Sequence, residues 1–222
     1  MLSRSVQDYL KTIFKLQEGG AVSTTEISKE LKVSGASVTG MLKRLSAMEL
    51  VDYNSYKGVK LTEKGKVVSL EIIRHHRLLE LYLKDHLEFS LEKVHEEACR
   101  LEHYISEEFA DKIDDIMGHP QFDPHGHPIP TKSGVLSEFE DKPLNEVEVG
   151  ANIQIKRLSD TDSELLAYLE EMGLMPGVQL TVLEKAPFNG PVTVKFANEE
   201  KIIGNEIAKN IFVIMNCDEI PE

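Results

Sequence analysis

The spacing of apolar residues changes once along these 222 residues, and that change most limits what the chain can fold into. Up to Ile116 apolar side chains recur every three or four positions, the period of one helix face. Beyond a Pro/Gly-rich stretch from His119 to Gly134 they alternate, at Ile153/Ile155, Leu180/Val182 and Val192/Val194/Phe196. Pro176-Gly177 and Phe188-Asn189-Gly190-Pro191 supply turns between these runs. One helix, from Ser163 to Met172, interrupts the strands and stops at Gly173. The expected fold class is therefore mainly α with a small β domain, the latter an SH3-like β-barrel.

The helical part opens with Val6, Tyr9, Leu10, Ile13, Phe14 and Leu16 on one face, stopped by Gly19-Gly20. Ser23-Thr24-Thr25 caps a short helix with Ile27 and Leu31 inward, and Val33-Ser34-Gly35 reads as a turn. A second helix over 34–47 buries Val38, Leu42 and Leu45. Val51–Tyr53 and Val59–Leu61 then form two strands around Asn54–Gly58. Two short helices joined by a Gly-containing turn and followed by a hairpin describe a winged helix-turn-helix. In that reading the second helix enters a DNA major groove. Ser34, Ala36, Ser37, Thr39 and Gly40 lie near base edges and phosphates, and Lys43, Arg44, Lys57, Lys60 and Lys64 contact phosphates. The competing use of such a unit is protein contact, with the lysines only solvating a surface.

Charge supports a division of labour. Residues 1–73 carry 11 Lys and Arg against 8 Asp and Glu, whereas the remainder carries 14 against 30, so a net charge of −13 conceals a mildly basic head. All eight histidines fall between His75 and His127. Within that stretch Gly65–His86 is expected as one helix, and Ser90 caps another in which Val94, Ala98, Leu101, Ile105, Phe109, Ile113 and Ile116 form a seam. Beside the seam His95, Cys99, Glu102 and His103 fall on one face. The preceding helix offers His76 and Glu80 one turn apart, and the first helix offers Asp8. Imidazole, thiolate and carboxylate together suit a divalent transition metal. A lone helical His or Glu is more often a solvated residue, and a lone Cys a small buried one; the coincidence of types on one face favours metal. The loop Asp123-Pro-His125-Gly-His127 could add ligands.

These residues resemble the diphtheria-toxin-repressor family of metal-dependent transcriptional regulators. The likeness rests on Arg74-His-His-Arg-Leu-Leu-Glu80, on Lys93-Val-His-Glu-Glu-Ala-Cys-Arg-Leu-Glu-His103 and on Pro128-Ile129-Pro130. It is close over residues 3–140 and looser beyond, where Leu169–Val178 is similar to the small barrel attached to ferrous-iron transport proteins. The resemblance implies three domains: a DNA-binding domain at 1–73, a helical metal-binding and dimerisation domain at 74–140, and the barrel at 141–222. It implies a primary metal site at Asp8, Cys99, Glu102 and His103. An ancillary site is implied at His76, Glu80 and His95, or, in other members, at Glu80, a loop ligand near Asp123 and His125, and an acid near Asp160. Cys99 is the iron-type residue and Asp8 the manganese-type one, so Fe²⁺ is slightly favoured over Mn²⁺ as corepressor. The implied partners are a palindromic double-stranded DNA operator, ahead of metal-uptake genes, and a second copy of the chain.

Two cysteines, Cys99 and Cys217, make no disulfide framework, no run approaches the roughly 20 apolar residues of a membrane span, and no signal-peptide core opens the chain, so a cytoplasmic protein is expected. Two alternatives compete with this reading. A metal-dependent hydrolase would use the same ligands to activate water, but no His-Glu-x-x-His, Gly-x-Ser-x-Gly or phosphate-cradling Gly loop is present, so no enzyme is expected. A winged-helix regulator sensing an organic ligand would leave the histidines incidental.

Overall fold

Thirteen residues from Arg4 to Leu16 form helix α1, whose Val6, Tyr9, Leu10 and Ile13 are buried on one face. Helix α2 (Thr24–Glu30) starts at a capping box: Ser23 accepts from the Glu26 N–H while the Glu26 carboxylate accepts from the Ser23 N–H. Helix α3 (Gly35–Ala47) is capped by Ser34, which accepts from the Ser37 N–H. That cap fixes where the chain reverses. The turn is Leu31-Lys32-Val33, with Lys32 at φ +53°, rather than the expected Val33-Ser34-Gly35, and Gly35 is already helical. Strands β1 (Val51–Asn54) and β2 (Gly58–Leu61) pair antiparallel as the wing, and Val22 bridges to Val59. A Cβ on Gly58, at φ +86°, would sit 2.5 Å from the Val22 carbonyl oxygen, so this crossing requires glycine.

The computed structural model describes residues 2–17, 20–137, 140–197 and 199–215. Gly19, expected to stop α1, and Cys217 lie outside the described residues. The chain divides into two units. The first gathers Met1–His76, Cys99–Lys112 and Pro130–Leu136; the second gathers Arg77–Ala98, Ile113–Ile129 and Ser137–Glu222. In the first, α1 packs with Val22, Ile27, Val38, Leu42, Leu45, Leu50, Val51 and Val59 into one core. Each such side chain taken fully out of water contributes about 1.5–3 kcal/mol before entropy is charged against it.

Helix α4 (Glu63–Leu87) matches expectation. The long seam does not stay on one helix. Helix α5 (Leu91–Leu101) ends before Glu102, and α6 (Glu107–Ile116) begins afresh, because Ser106 caps it by accepting from the Phe109 N–H. The register shifts at the break: Ala110 and Ile113 are buried, while Phe109 and Ile116 are exposed.

In the second unit six antiparallel strands follow the order β3-β8-β4-β5-β6-β7. They are β3 (Lys142–Pro143), β4 (Asn152–Leu158), β5 (Gln179–Lys185), β6 (Val192–Phe196), β7 (Glu199–Ile203) and β8 (Ile211–Met215). Ile153, Ile155, Leu180, Val182, Val192, Val194, Ile211 and Val213 supply the inward face, and Leu166 and Leu169 of α7 (Ser163–Glu171) are buried in the same unit. A single turn, α8 (Asn205–Ala208), precedes β8. No helix among the described residues is long and apolar enough to cross a membrane.

Candidate metal centres and nucleic-acid face

In the first unit, α1 and the turn after α5 bring Asp8, Glu102 and His103 together, with one potential ligand atom from each within 4.8 Å of the others. Glu102 and His103 were expected on the helix; they stand just past its end. His103 is oriented by Gln7, whose side-chain oxygen lies 2.8 Å from Nδ1. An amide oxygen only accepts, so Nδ1 is the nitrogen that donates to Gln7, and Nε2 is left to face the carboxylates. That Nε2 is buried and makes no hydrogen bond among the described residues, although Asp8 Oδ1 is 3.0 Å away and Glu102 Oε1 3.4 Å. One imidazole nitrogen and two carboxylates converging this closely in a buried place form a donor set that fits a divalent metal ion. Cys99, in the last turn of α5, places Sγ 3.9 Å from His76 Nδ1.

Glu102 is nearly inaccessible and well paired. His76 Nδ1 lies 2.5 Å from its Oε2, and Lys11 Nζ lies 3.0 and 2.7 Å from its two oxygens. Burial alone would push this carboxyl up; the His76 hydrogen bond and the Lys11 charge outweigh it and hold it at about 2.

The second unit assembles another group. His95 Nδ1 is 2.9 Å from Glu80 Oε1 and 4.0 Å from Asp160 Oδ2, and His125 Nδ1 is 3.6 Å from Glu80 Oε2. His125 is wholly buried, and neither ring nitrogen has a hydrogen-bond partner among the described residues. Burial pushes its pKa down, but the Glu80, Asp123 and Asp160 carboxylates prevail and raise it. Asp123 braces the loop: its Oδ1 accepts from the His125 and His127 N–H groups, and Arg77 Nε stands 3.6 Å from Oδ2. Arg77 also donates to the Pro128 carbonyl. The loop lies against β4, where Leu158 N–H donates to the His125 carbonyl. Gly126 makes this approach possible, since a Cβ there would meet the Lys156 carbonyl oxygen at 2.0 Å. Asp160 follows β4 directly, whereas Asp162 is committed to capping α7. Of the implied ancillary residues, Glu80, His95, His125 and Asp160 therefore share this unit, and His76 accompanies Glu102 in the other.

On the head, Ser34, Ala36, Ser37, Gly40, Lys43, Arg44, Lys57 and Lys60 are all exposed. Thr39 is half-buried and donates to the Gly35 carbonyl. Lys64 instead donates to the Met48 carbonyl and pairs with Glu49 at 3.7 Å, which makes it a weaker phosphate candidate. Sequence reasoning missed Lys11 and Gln7. Nothing local flags Gln7; Lys11 sits among the apolar positions of an amphipathic helix, one turn after Asp8, which is a signal in itself.

Three family models match in succession. These are the iron dependent repressor N-terminal DNA binding domain over residues 1–59, the iron dependent repressor metal binding and dimerisation domain over 62–131, and the FeoA domain over 142–215. The iron-dependent repressor IdeR of Mycobacterium tuberculosis is 30% identical over 218 residues, spanning 92% of this chain and 94% of that protein. The diphtheria toxin repressor of Corynebacterium glutamicum is 28% identical over 188 residues, spanning 80% of this chain and 82% of that one. Among solved structures, a manganese-dependent transcriptional repressor in complex with manganese superposes with a TM-score of 0.89 at 33% identity, covering 95% of this chain and 99% of that one. Full-length likeness, family models in the same order and the donor clusters agree: the chain belongs to the iron-dependent repressor family of metal-dependent transcriptional regulators.

Proposed function

We propose that this chain is a transcriptional repressor that binds a palindromic DNA operator as a homodimer, with Fe²⁺ or Mn²⁺ as corepressor. The observation that carries the reading is the buried Nε2 of His103, without a hydrogen bond among the described residues, facing Asp8 and Glu102. Asp8 belongs to α1, which shares its core with the recognition helix α3. Asp8, Glu102 and His103, with Cys99 beside them, would hold the metal, whose positive charge would offset the carboxylates and favour these segments lying together. Gln7 fixes the imidazole tautomer, and His76 fixes the Glu102 carboxylate. Glu80, His95, His125 and Asp160 would hold a second ion. The Cys99 sulfur draws the first centre toward Fe²⁺, while the second, all nitrogen and oxygen, suits Mn²⁺. For a switch, the metal must favour the DNA-competent arrangement over others by differential affinity.

Ser34, Ala36, Ser37, Thr39 and Gly40 would approach bases, and Lys43, Arg44, Lys57 and Lys60 phosphates, with functional boundaries at 1–73, 74–140 and 141–222. Tyr104 and Phe109, 72% and 49% exposed, suit the face that meets a second copy. Dimeric heads would reach successive major grooves about 34–36 Å apart. The relatives favour neither a hydrolase nor a sensor of an organic ligand, and the reading gives the chain no catalytic step. The test is footprinting on genomic promoter fragments at fixed salt, with Fe²⁺ under anaerobic conditions, Mn²⁺, Zn²⁺ or chelator. Protection that appears with Fe²⁺ or Mn²⁺ and vanishes with chelator is expected; binding indifferent to metal would overturn the reading.

A further inference from the structure

Lysine is almost never buried unless paired. Lys11 is only 8% exposed, and its ammonium lies across both oxygens of Glu102, at 3.0 and 2.7 Å. It stands one helical turn after Asp8, so a single face of α1 presents both a candidate metal donor and a fixed positive charge. We propose that Lys11 is an internal rival for the first metal centre, holding Glu102 in the manner of a cation and setting the metal concentration at which that centre fills. This rests on the function proposed above.

Two costs make the competition real. An ion that takes an oxygen of Glu102 must displace a charge-assisted hydrogen bond directed at that oxygen. It must also bring a double positive charge close to an ammonium in a site where Glu102 is 3% exposed and His103 7%, so solvent screens the repulsion poorly. Lys11 is not needed to orient the carboxylate, because His76 Nδ1 already holds Oε2 at 2.5 Å. Its four-carbon stem lets the ammonium withdraw once a metal arrives. The penalty depends on charge rather than on ligand preference. It therefore weakens all divalent ions alike and leaves their order to the donors.

The test is a competition titration of the full-length chain against a chromogenic chelator with Mn²⁺ and with Zn²⁺, comparing wild type, Lys11→Gln, Lys11→Met and Lys11→Arg. Circular dichroism checks the fold, and the Met variant keeps most of the packing of the stem should Gln not fold. The step belonging to the first centre is the one that His103→Ala removes. At that step Lys11→Gln or Lys11→Met is expected to lower Kd at least tenfold for both ions, with Lys11→Arg near wild type. The metal-free Gln and Met proteins are expected to melt earlier, because Glu102 has lost a partner. A Kd that stays the same or rises, or a fall for one ion only, would overturn the role of Lys11 alone. If His103→Ala removes no step, the first centre itself is wrong and both readings fall together.

Discussion

Gly40 lies in the interior of α3, between Ser37 and the pair Lys43 and Arg44 on the face proposed to meet DNA. Glycine at an exposed helix interior costs about 1 kcal/mol relative to alanine. Nothing among the described residues asks for it: beyond the backbone of its own helix a Cβ there meets no atom within 4 Å, and φ is not in the left-handed region. Gly40→Ala should therefore stabilise the chain by about 1 kcal/mol, a rise in Tm of roughly 2–4 °C for a protein of this size. If the position is kept small so that the helix can seat against a groove, the same methyl group should weaken binding to the footprinted operator about tenfold. It removes no phosphate-contacting cation, so the slope of log affinity against log salt should not change. Thermal unfolding and fluorescence anisotropy at three salt concentrations measure both effects on one preparation. A higher Tm with unaltered DNA affinity would refute the close approach, and a lower Tm would refute the helix argument beneath it.

Gln7→Leu should leave the fold intact yet weaken metal at the first centre about 10–100-fold, as loss of an orienting partner does; unchanged affinity in a chelator titration would show that His103 needs no such orientation. Glu102 has its pKa lowered from 4.5 to about 2 on folding. Its contribution, roughly 3 kcal/mol, is fully present above pH 4.5 and lost as the pH falls toward 2. Denaturant unfolding of chelator-treated protein should show that acid loss, and Glu102→Gln should flatten it. Gly126→Ala should cost about 2–3 kcal/mol, since its Cβ would strike the Lys156 carbonyl at 2.0 Å. Calorimetry should show the loss, together with weaker metal at His125.

The winged head was legible because each of its signals is local: a capping box at Ser23 and Glu26, an apolar face on α3, a hairpin of two short runs. The break between α5 and α6 was not, because Leu101, Ile105 and Phe109 preserve a helical period across it. The sequence Ser106-Glu107-Glu108 carried the stop and restart. Strand β7 escaped for another reason. Among the described residues it pairs with β6 alone, and of Glu199-Glu-Lys-Ile-Ile203 Ile203 alone is fully buried, too little for an alternating apolar pattern to show. At the first centre the donor types Asp8, Cys99, Glu102 and His103 could be read from spacing and family likeness. Gln7 could not, since its partner lies 96 positions away and no local pattern joins them; the place of Lys11 among the apolar positions of α1 signals burial but not its partner 91 positions on.

That separation has a consequence for synthesis. Lys11 and Glu102 are 91 positions apart. At about 5–20 residues per second, a ribosome needs on the order of 5–20 seconds to pass from one to the other. The core of the head, from Val6 to Val59, is complete in sequence well before then. From Val59 to Glu102, 43 positions or about 2–9 seconds, the nascent chain carries every residue of the head's core, with Asp8 and Lys11 in α1 and neither of their partners yet made. Control by metal, on this account, is acquired late in each molecule's life, when residues 102 and 103 leave the ribosome and reach back to a helix that folded without them.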